Sequence, residues 1–282
     1  MKLNSVNSVS VVIPTIAGRE TLLAHAVSSV LAQTLAPVEI LVIGDTKLEF
    51  DSYVNLKRII VGRDLNAAQA RNQGFKLASG EVIAFLDDDD VWDKNYLDES
   101  IQFLLERNLD AVFGQIWLFE NDDVTNSIRI KSKESLNGIY HLNPGVIGSN
   151  TVVRRLCLDK VKGFREDLTV SQDKALAIDL AAEGFSLGFS PGKCFLRKHP
   201  LPRLTDNRSQ LIGTIQFTKI YWKQMPFTSK VINVQKINSL RYRIKPQIHR
   251  LLLKMLFKQV IIILKFLSFF RGKQGSSHAE DI

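Results

Sequence analysis

The sequence predicts an α/β fold, a mostly parallel sheet flanked by helices, and three observations carry that expectation. Short apolar runs of strand length alternate with amphipathic stretches of helical period from Ser8 to about Val112. Turn-forming or acidic residues punctuate the ends of those runs, at Pro14-Thr15, Gly44-Asp45, Val61-Gly62 and Asp87 to Asp90. The chain has 282 residues and is 45% hydrophobic, enough to bury one sizeable core with an appendage.

The elements follow in order. Val9 to Ile13 reads as a strand closed by Pro14, Arg19 to Leu35 as an amphipathic helix and Val38 to Ile43 as a second strand. A short third strand at Ile59 to Val61 precedes a helix from Ala67 to Ser79, which Gly80 stops, and a fourth strand at Glu81 to Leu86. After a helix at Asp93 to Asn108 the pattern loosens. Ala111 to Phe119 reads as a strand, and Glu120 to Leu142 as polar loop with one short strand at Ser127 to Ile130. Gly148 to Val153 reads as a strand feeding a short helix at Arg155 to Val161. A helix at Lys174 to Glu183 and two strand-like runs, Phe185 to Phe189 and Cys194 to Arg197, complete the regular part. In parallel sheets of this kind ligands sit beyond the C-terminal strand ends, so the four punctuated ends are expected to share one crevice.

At one of those ends stand four consecutive aspartates, Asp87 to Asp90. Like charges this close raise each other's pKa and oppose folding, so the cluster calls for a cation. Oxygen-only ligands suit Mg2+ or Mn2+. An EF-hand is disfavoured, because Val91 occupies an alternate ligand position and no glycine follows for its turn. The two cysteines, Cys157 and Cys194, have no metal or disulfide spacing and read as core thiols of a reducing compartment. The polar start, Met1 to Ser8, gives no expectation of a secretory signal.

Net charge is +8 but unevenly placed. Residues 1–196 carry −6, whereas residues 197–273 carry +16 with Asp206 as the lone acid. Within that basic segment, 246–272 is apolar yet interrupted by lysines. Arg250, Lys254, Lys258 and Lys265 fall in one arc of roughly 80° on a helical wheel, with Leu, Ile and Phe around the rest. The uncharged run is far below the ~20 residues a spanning helix needs, so a helix lying in the membrane interface is expected. A nucleic-acid module is disfavoured, since aliphatic residues rather than interleaved aromatics accompany the cations.

The ordered motifs Val11-Val12-Ile13-Pro14-Thr15, Ala70-Arg71-Asn72 with Gly74, Ala78-Ser79-Gly80-Glu81 and Phe85 to Asp90 with Trp92 resemble those of family 2 glycosyltransferases. Gly148-Ser149-Asn150, Arg154-Arg155, Gly163-Phe164-Arg165-Glu166 and Gln172-Asp173 extend the resemblance, which runs from Val9 to about Pro202. It implies the GT-A fold, with a catalytic domain at 1–205, a nucleotide-sugar-binding half at 8–112, an acceptor-binding half at 113–205 and a helical basic extension at 206–282. It also implies an inverting enzyme that uses a nucleotide-diphosphate sugar, with a UDP-sugar favoured.

Residue by residue, the resemblance implies that Asp87 and Asp89 hold Mn2+ or Mg2+ against the donor diphosphate. Asp88 joins them at the nucleotide-sugar, and Asp90 supports the pair. Pro14, Thr15, Arg19, Asp45 and Arg71 are the further donor contacts. His199 is a candidate third metal ligand, with Arg203 and Arg208 near it to grip phosphate. Asp173 is the candidate general base, which takes the acceptor hydroxyl's proton as it attacks the anomeric carbon. A helix N-terminus also favours an aspartate, so a plain capping role is the rival reading of Asp173. Gly44, Gln172 and Asp179 depart from the family's usual Asp, Glu and Arg. The acceptor is expected to be a glycan or a lipid-linked saccharide in envelope polysaccharide synthesis; the lipid-linked form and a place on the cytoplasmic face of a membrane rest on the basic tail. A nucleotidyltransferase and a glycosyltransferase-like protein that binds without turnover are the alternatives.

Overall fold

A computed structural model of the chain describes residues 8–47, 56–59, 65–120, 123–130, 135–198 and 207–244. Its parallel half consists of β1 (Val9–Pro14), β2 (Glu39–Ile43), β3 (Leu56–Ile59) and β4 (Val82–Phe85), ordered β3-β2-β1-β4 in space. Helix α1 (Glu20–Leu31) connects β1 to β2, and α2 (Ala67–Leu77) connects β3 to β4. Period-two alternation decides which helix each strand residue meets. Val9, Val11 and Ile13 pack with Leu23, Ala26, Val27 and Val30 of α1, while Val12 packs on the other face with Ala68, Ala70 and Phe75 of α2. Asn66 caps α2 reciprocally with Gln69, which places the helix start at the residue expected from sequence.

The second half is mixed. A two-residue strand, β5 (Val91–Trp92), follows the aspartates, then α3 (Tyr96–Glu106), β6 (Ala111–Glu120), β7 (Asp123–Arg129) and β8 (Thr151–Arg154). Helices α4 (Arg155–Val161) and α5 (Gln172–Ala182), strand β9 (Leu187–Arg197), and helices α6 (Asn207–Tyr221) and α7 (Phe227–Ile244) complete the described chain. β8 lies antiparallel between β4 and β6, β9 runs parallel to β6, and β5 pairs antiparallel with β9.

Several boundaries differ from the sequence expectation, among them α1, which ends at Leu31 rather than Leu35, and the run from Gly148, which opens as a 3-10 turn at Gly148–Asn150 before β8. The third strand lies earlier, at Leu56–Ile59, and β7 is longer than the stretch 127–130. The two runs expected around residues 185–197 are one strand. Its interruption is a bulge: β6 pairs Phe113 with Phe189 and Gln115 with Lys193, so two extra residues bow out where Ser190-Pro191-Gly192 lies. A proline cannot donate to the ladder, which is why it sits at this irregularity. The expected interfacial segment 246–272 lies outside the described residues. No helix among the described residues is long and apolar enough to cross a membrane.

Candidate active site

The ends of β1, β2 and β4 lie side by side, and the residues just beyond them build the site. Thr15 follows β1 and donates its amide to the Ile43 carbonyl of β2, 2.9 Å away. That approach leaves no room at Gly44. Its φ is +142°, and a Cβ there would overlap the Thr15 carbonyl oxygen. Asp45, half-buried, comes next. Pro14 lies opposite Ile43 in the same register and closes β1.

Exposure alternates along the aspartate turn. Asp88 and Asp90 are 3% and 7% exposed, whereas the side chains of Asp87 and Asp89 are 33% and 20% exposed. The inward pair is held by the protein. Asp88 accepts from Thr15 Oγ1 at 2.7 Å and faces Arg19 Nη1 at 3.1 Å. Burial nevertheless raises its pKa to about 6, against the lowering effect of Thr15 and Arg19. Asp90 accepts from Ser149 Oγ at 2.5 Å and from the Arg197 amide at 3.1 Å. Burial, with Asp89 and Asp87 adding repulsion, raises its pKa well above the usual carboxylate range. Of the outward pair, Asp89 meets Arg19 Nη2 at 2.5 Å and Asp87 is ion-paired with Arg71. The cation that the aspartate run calls for is thus met within the chain by two arginines.

Arg71 is the pivot. Position 71 on α2 faces inward, and the guanidinium, 5.3 Å from the Phe164 ring, is pressed beneath the turn Gly148–Asn150. Its Nε has no partner among the described residues. The adjacent Asn72 explains why Phe164 is there. The Asn72 amide donates at 2.8 Å both to the Phe164 carbonyl and to Glu166, and its oxygen accepts from the Phe164 amide at 2.7 Å. That clamp carries the chain toward α5 and so brings Asp173 into the electrostatic neighbourhood of Arg71 and Asp87. Burial raises the pKa of Asp173, and Arg71 is the chief opposing influence. Asp173 is not the cap of its helix: Ser171, in the left-handed region with φ 64°, holds that position.

Ser149 has a structural role that the sequence reading did not assign. Its hydroxyl binds Asp90 and accepts from the Asp87 amide at 3.2 Å, while its carbonyl accepts from Trp92 Nε1 at 2.7 Å. Trp92 stacks on Tyr96 beneath the turn, as a support. Arg197 was also missed as a partner of the turn. Its amide and Nε reach Asp90 and the Asp89 carbonyl, the latter at 3.3 Å. Its position at the end of a strand that meets β5 was the available signal.

His199 and Arg203, expected beside the metal, lie outside the described residues, and Arg208 is exposed at the start of α6. Both cysteines are buried free thiols, as expected. His141 binds Ser229 Oγ at 2.8 Å rather than any acidic partner.

Residues 10–162 match the family described as Glycosyl transferase family 2. The chain belongs to that family. The match includes the aspartate turn and Arg71 and stops short of Asp173. Among relatives, the chain is 36% identical over 154 residues to the UDP-Glc:alpha-D-GlcNAc-diphosphoundecaprenol beta-1,3-glucosyltransferase WfgD of Escherichia coli. That match spans 51% of this chain and 59% of WfgD. It is 27% identical to the putative teichuronic acid biosynthesis glycosyltransferase TuaG of Bacillus subtilis, over 63% of this chain and 73% of TuaG. The fold is similar to that of S. aureus TarS 1-349 solved in complex with UDP-GlcNAc. The TM-score is 0.57 at 16% identity, covering 84% of this chain and 73% of that one. The GT-A expectation is therefore met.

The three departures from the family 2 pattern have local causes. At Gly44 the Thr15 carbonyl leaves no space for an aspartate. Gln172 donates Nε2 to the Leu168 carbonyl at 2.7 Å, which a glutamate could not do. Asp179 accepts from Arg165 Nε at 2.8 Å and from the Tyr221 hydroxyl at 2.9 Å, tying α5 to α6.

Proposed function

We propose that this family 2 glycosyltransferase moves a sugar from a nucleotide diphosphate to a glycan or lipid-linked acceptor, with inversion and with a divalent ion, in cell-envelope polysaccharide assembly. The observation that carries the reading is the alternating aspartate turn, because it leaves Asp87 and Asp89, hard oxygen donors facing Arg71 and Arg19, as its more exposed members while Asp88 and Asp90 anchor the turn from within. That donor set fits Mn2+ or Mg2+. Asp87 and Asp89 would hold the ion, and His199 is retained as the third candidate ligand. When bound, the ion offsets the charge that gathers on the departing diphosphate.

The rest of the work falls to the chain. Pro14, Thr15, Arg19, Asp45, Arg71 and Asp88 form the donor side of the crevice. Asp173 accepts the acceptor hydroxyl's proton, and the burial that raises its pKa makes it a stronger base while Arg71 opposes that rise. A UDP-sugar is the favoured donor, in keeping with the UDP-Glc of WfgD and the UDP-GlcNAc of the TarS complex. A lipid-linked acceptor agrees with the diphosphoundecaprenol on which WfgD acts, and together with the basic segment 246–272 it supports a peripheral position on the cytoplasmic face of a membrane. Asp173→Asn provides the test. Sugar transfer should fall about 10²–10⁴-fold while UDP binding by calorimetry in the presence of Mn2+ stays within about threefold. Retained turnover would remove Asp173 from the proton step, and donor affinity indifferent to a chelator would remove the ion.

A further inference from the structure

Helix α7 is amphipathic the wrong way round. The side it buries carries Ser229 and Asn233, which bind His141 Nδ1 at 2.8 Å and the Tyr140 carbonyl at 2.9 Å, with Leu240 below them. The opposite side carries Phe227, Val231 and Val234, whose i, i+4, i+7 spacing sets them in one stripe. All three are exposed, Phe227 by 80%. In the turn before α7, Trp222 is exposed too, with Lys230 Nζ 5.2 Å from its ring. A surface helix ordinarily turns its apolar stripe inward. Here polar side chains dock the helix and an apolar face is left outward.

Charge says what covers it. Residues 207–244 contain seven Lys and Arg and no acid, so two copies meeting through this face would repel. Residues 245–273 contain seven more and again no acid, which disfavours the chain's own tail as the cover on the same ground. An anionic bilayer supplies both an apolar layer for Phe227, Val231 and Val234 and phosphates for the flanking lysines, with Trp222 suited to the headgroup level.

We propose that this face of α7, together with Trp222, docks on an anionic lipid surface. The inference rests on the reading that the enzyme works at a membrane, and it assigns the contact to a second surface besides the segment 246–272. The test uses the full chain and vesicles of phosphatidylcholine, alone or with roughly 30% phosphatidylglycerol. The wild type should float with the anionic vesicles and shift its tryptophan emission to the blue, a shift lost in Trp222→Phe. The triple variant Phe227→Ser, Val231→Ser, Val234→Ser should lower the partition constant by about tenfold or more, since removing exposed side chains spares the core. UDP binding measured on the same samples is a separate readout, so a failure of the proposed donor chemistry appears there and leaves the vesicle result intact. Lys254→Glu with Lys258→Glu should weaken flotation independently of the α7 change. Equal partitioning of the triple variant and wild type overturns the proposal, as does a wild-type dimer in sedimentation that the triple variant dissolves while vesicles capture neither.

Discussion

Gly148→Ala isolates the part of the site that is tightest. A Cβ at this position would stand 2.7 Å from Arg71 Cζ and 3.0 Å from Nε. The guanidinium has little freedom to withdraw, because Phe164 lies on one side and Asp87 holds its far end. Overpacking costs about 1–3 kcal/mol, and losing a buried charge partner outright costs about 3–5 kcal/mol. Asp87 is one-third exposed and regains water, so the combined loss should be about 2–4 kcal/mol, or a Tm decrease of roughly 2–4 °C per kcal/mol. In an Arg71→Met background the same alanine meets a flexible, uncharged chain, and its cost should fall below about 1 kcal/mol. Urea unfolding of the four proteins measures this cycle. A second readout is kinetic. Arg71 opposes the burial that raises the pKa of Asp173, so displacing it should move the acidic limb of kcat/KM to higher pH. Equal alanine costs in both backgrounds, or an unmoved acidic limb, would refute the assignment of Arg71 as the electrostatic link between Asp87 and Asp173.

Three further outcomes are expected. Lys174 is buried on α5, donates to the Ile139 carbonyl at 3.2 Å, and has its pKa lowered to about 8 chiefly by burial. Below pH 8 the ammonium is charged in both states and its burial cost is complete. Stability from this group should therefore rise between pH 8 and the unfolded value of 10.5, as the native state sheds the proton first. Lys174→Met should accordingly stabilise the protein at pH 7 by on the order of 1–3 kcal/mol, with the gain narrowing above pH 8 in urea titrations at several pH values. Restoring the family's acid with Gly44→Asp should cost about 1–3 kcal/mol or more and leave UDP affinity no better, since φ +142° and the Thr15 carbonyl both oppose a side chain; a tighter complex by calorimetry would contradict this. Asp179→Ala should cost about 1–3 kcal/mol by leaving Arg165 and Tyr221 without their shared acceptor, and proteolysis should then cut first near α6.

Much of this molecule was legible as sequence. The alternation of strands and helices through β4 is local, written in period-two and period-3.6 apolar spacing, and the start of α2 at Ala67 follows from that spacing, to which the structure adds the Asn66–Gln69 cap. The aspartate turn was legible as a site because crowded carboxylates are costly wherever they fold. What escaped depends on distant partners. A two-residue β5 exists only because β9 passes beside it, and the unity of β9 depends on the continuous edge of β6 with its bulge. Likewise no spacing rule announces that Arg19 and Arg71 will satisfy the aspartates, or that Ser149 will fasten both ends of their turn. The departures at Gln172 and Asp179 looked like losses of function in sequence, and each proves to be a contact of the surrounding framework.

The two arginines among the aspartates have a consequence for the order of events in the crevice. They act as resident counter-ions that offset two of the four carboxylates, so a lone divalent ion would have to compete with them for Asp87 and Asp89. A ligand that brings its own negative charge changes that balance, because it gives Arg19 an alternative anion to face and releases carboxylate oxygen at Asp89. On the proposed reading, ion and diphosphate would then be mutually dependent guests, and a loaded donor would differ from stray metal by exchanging one set of charges for another.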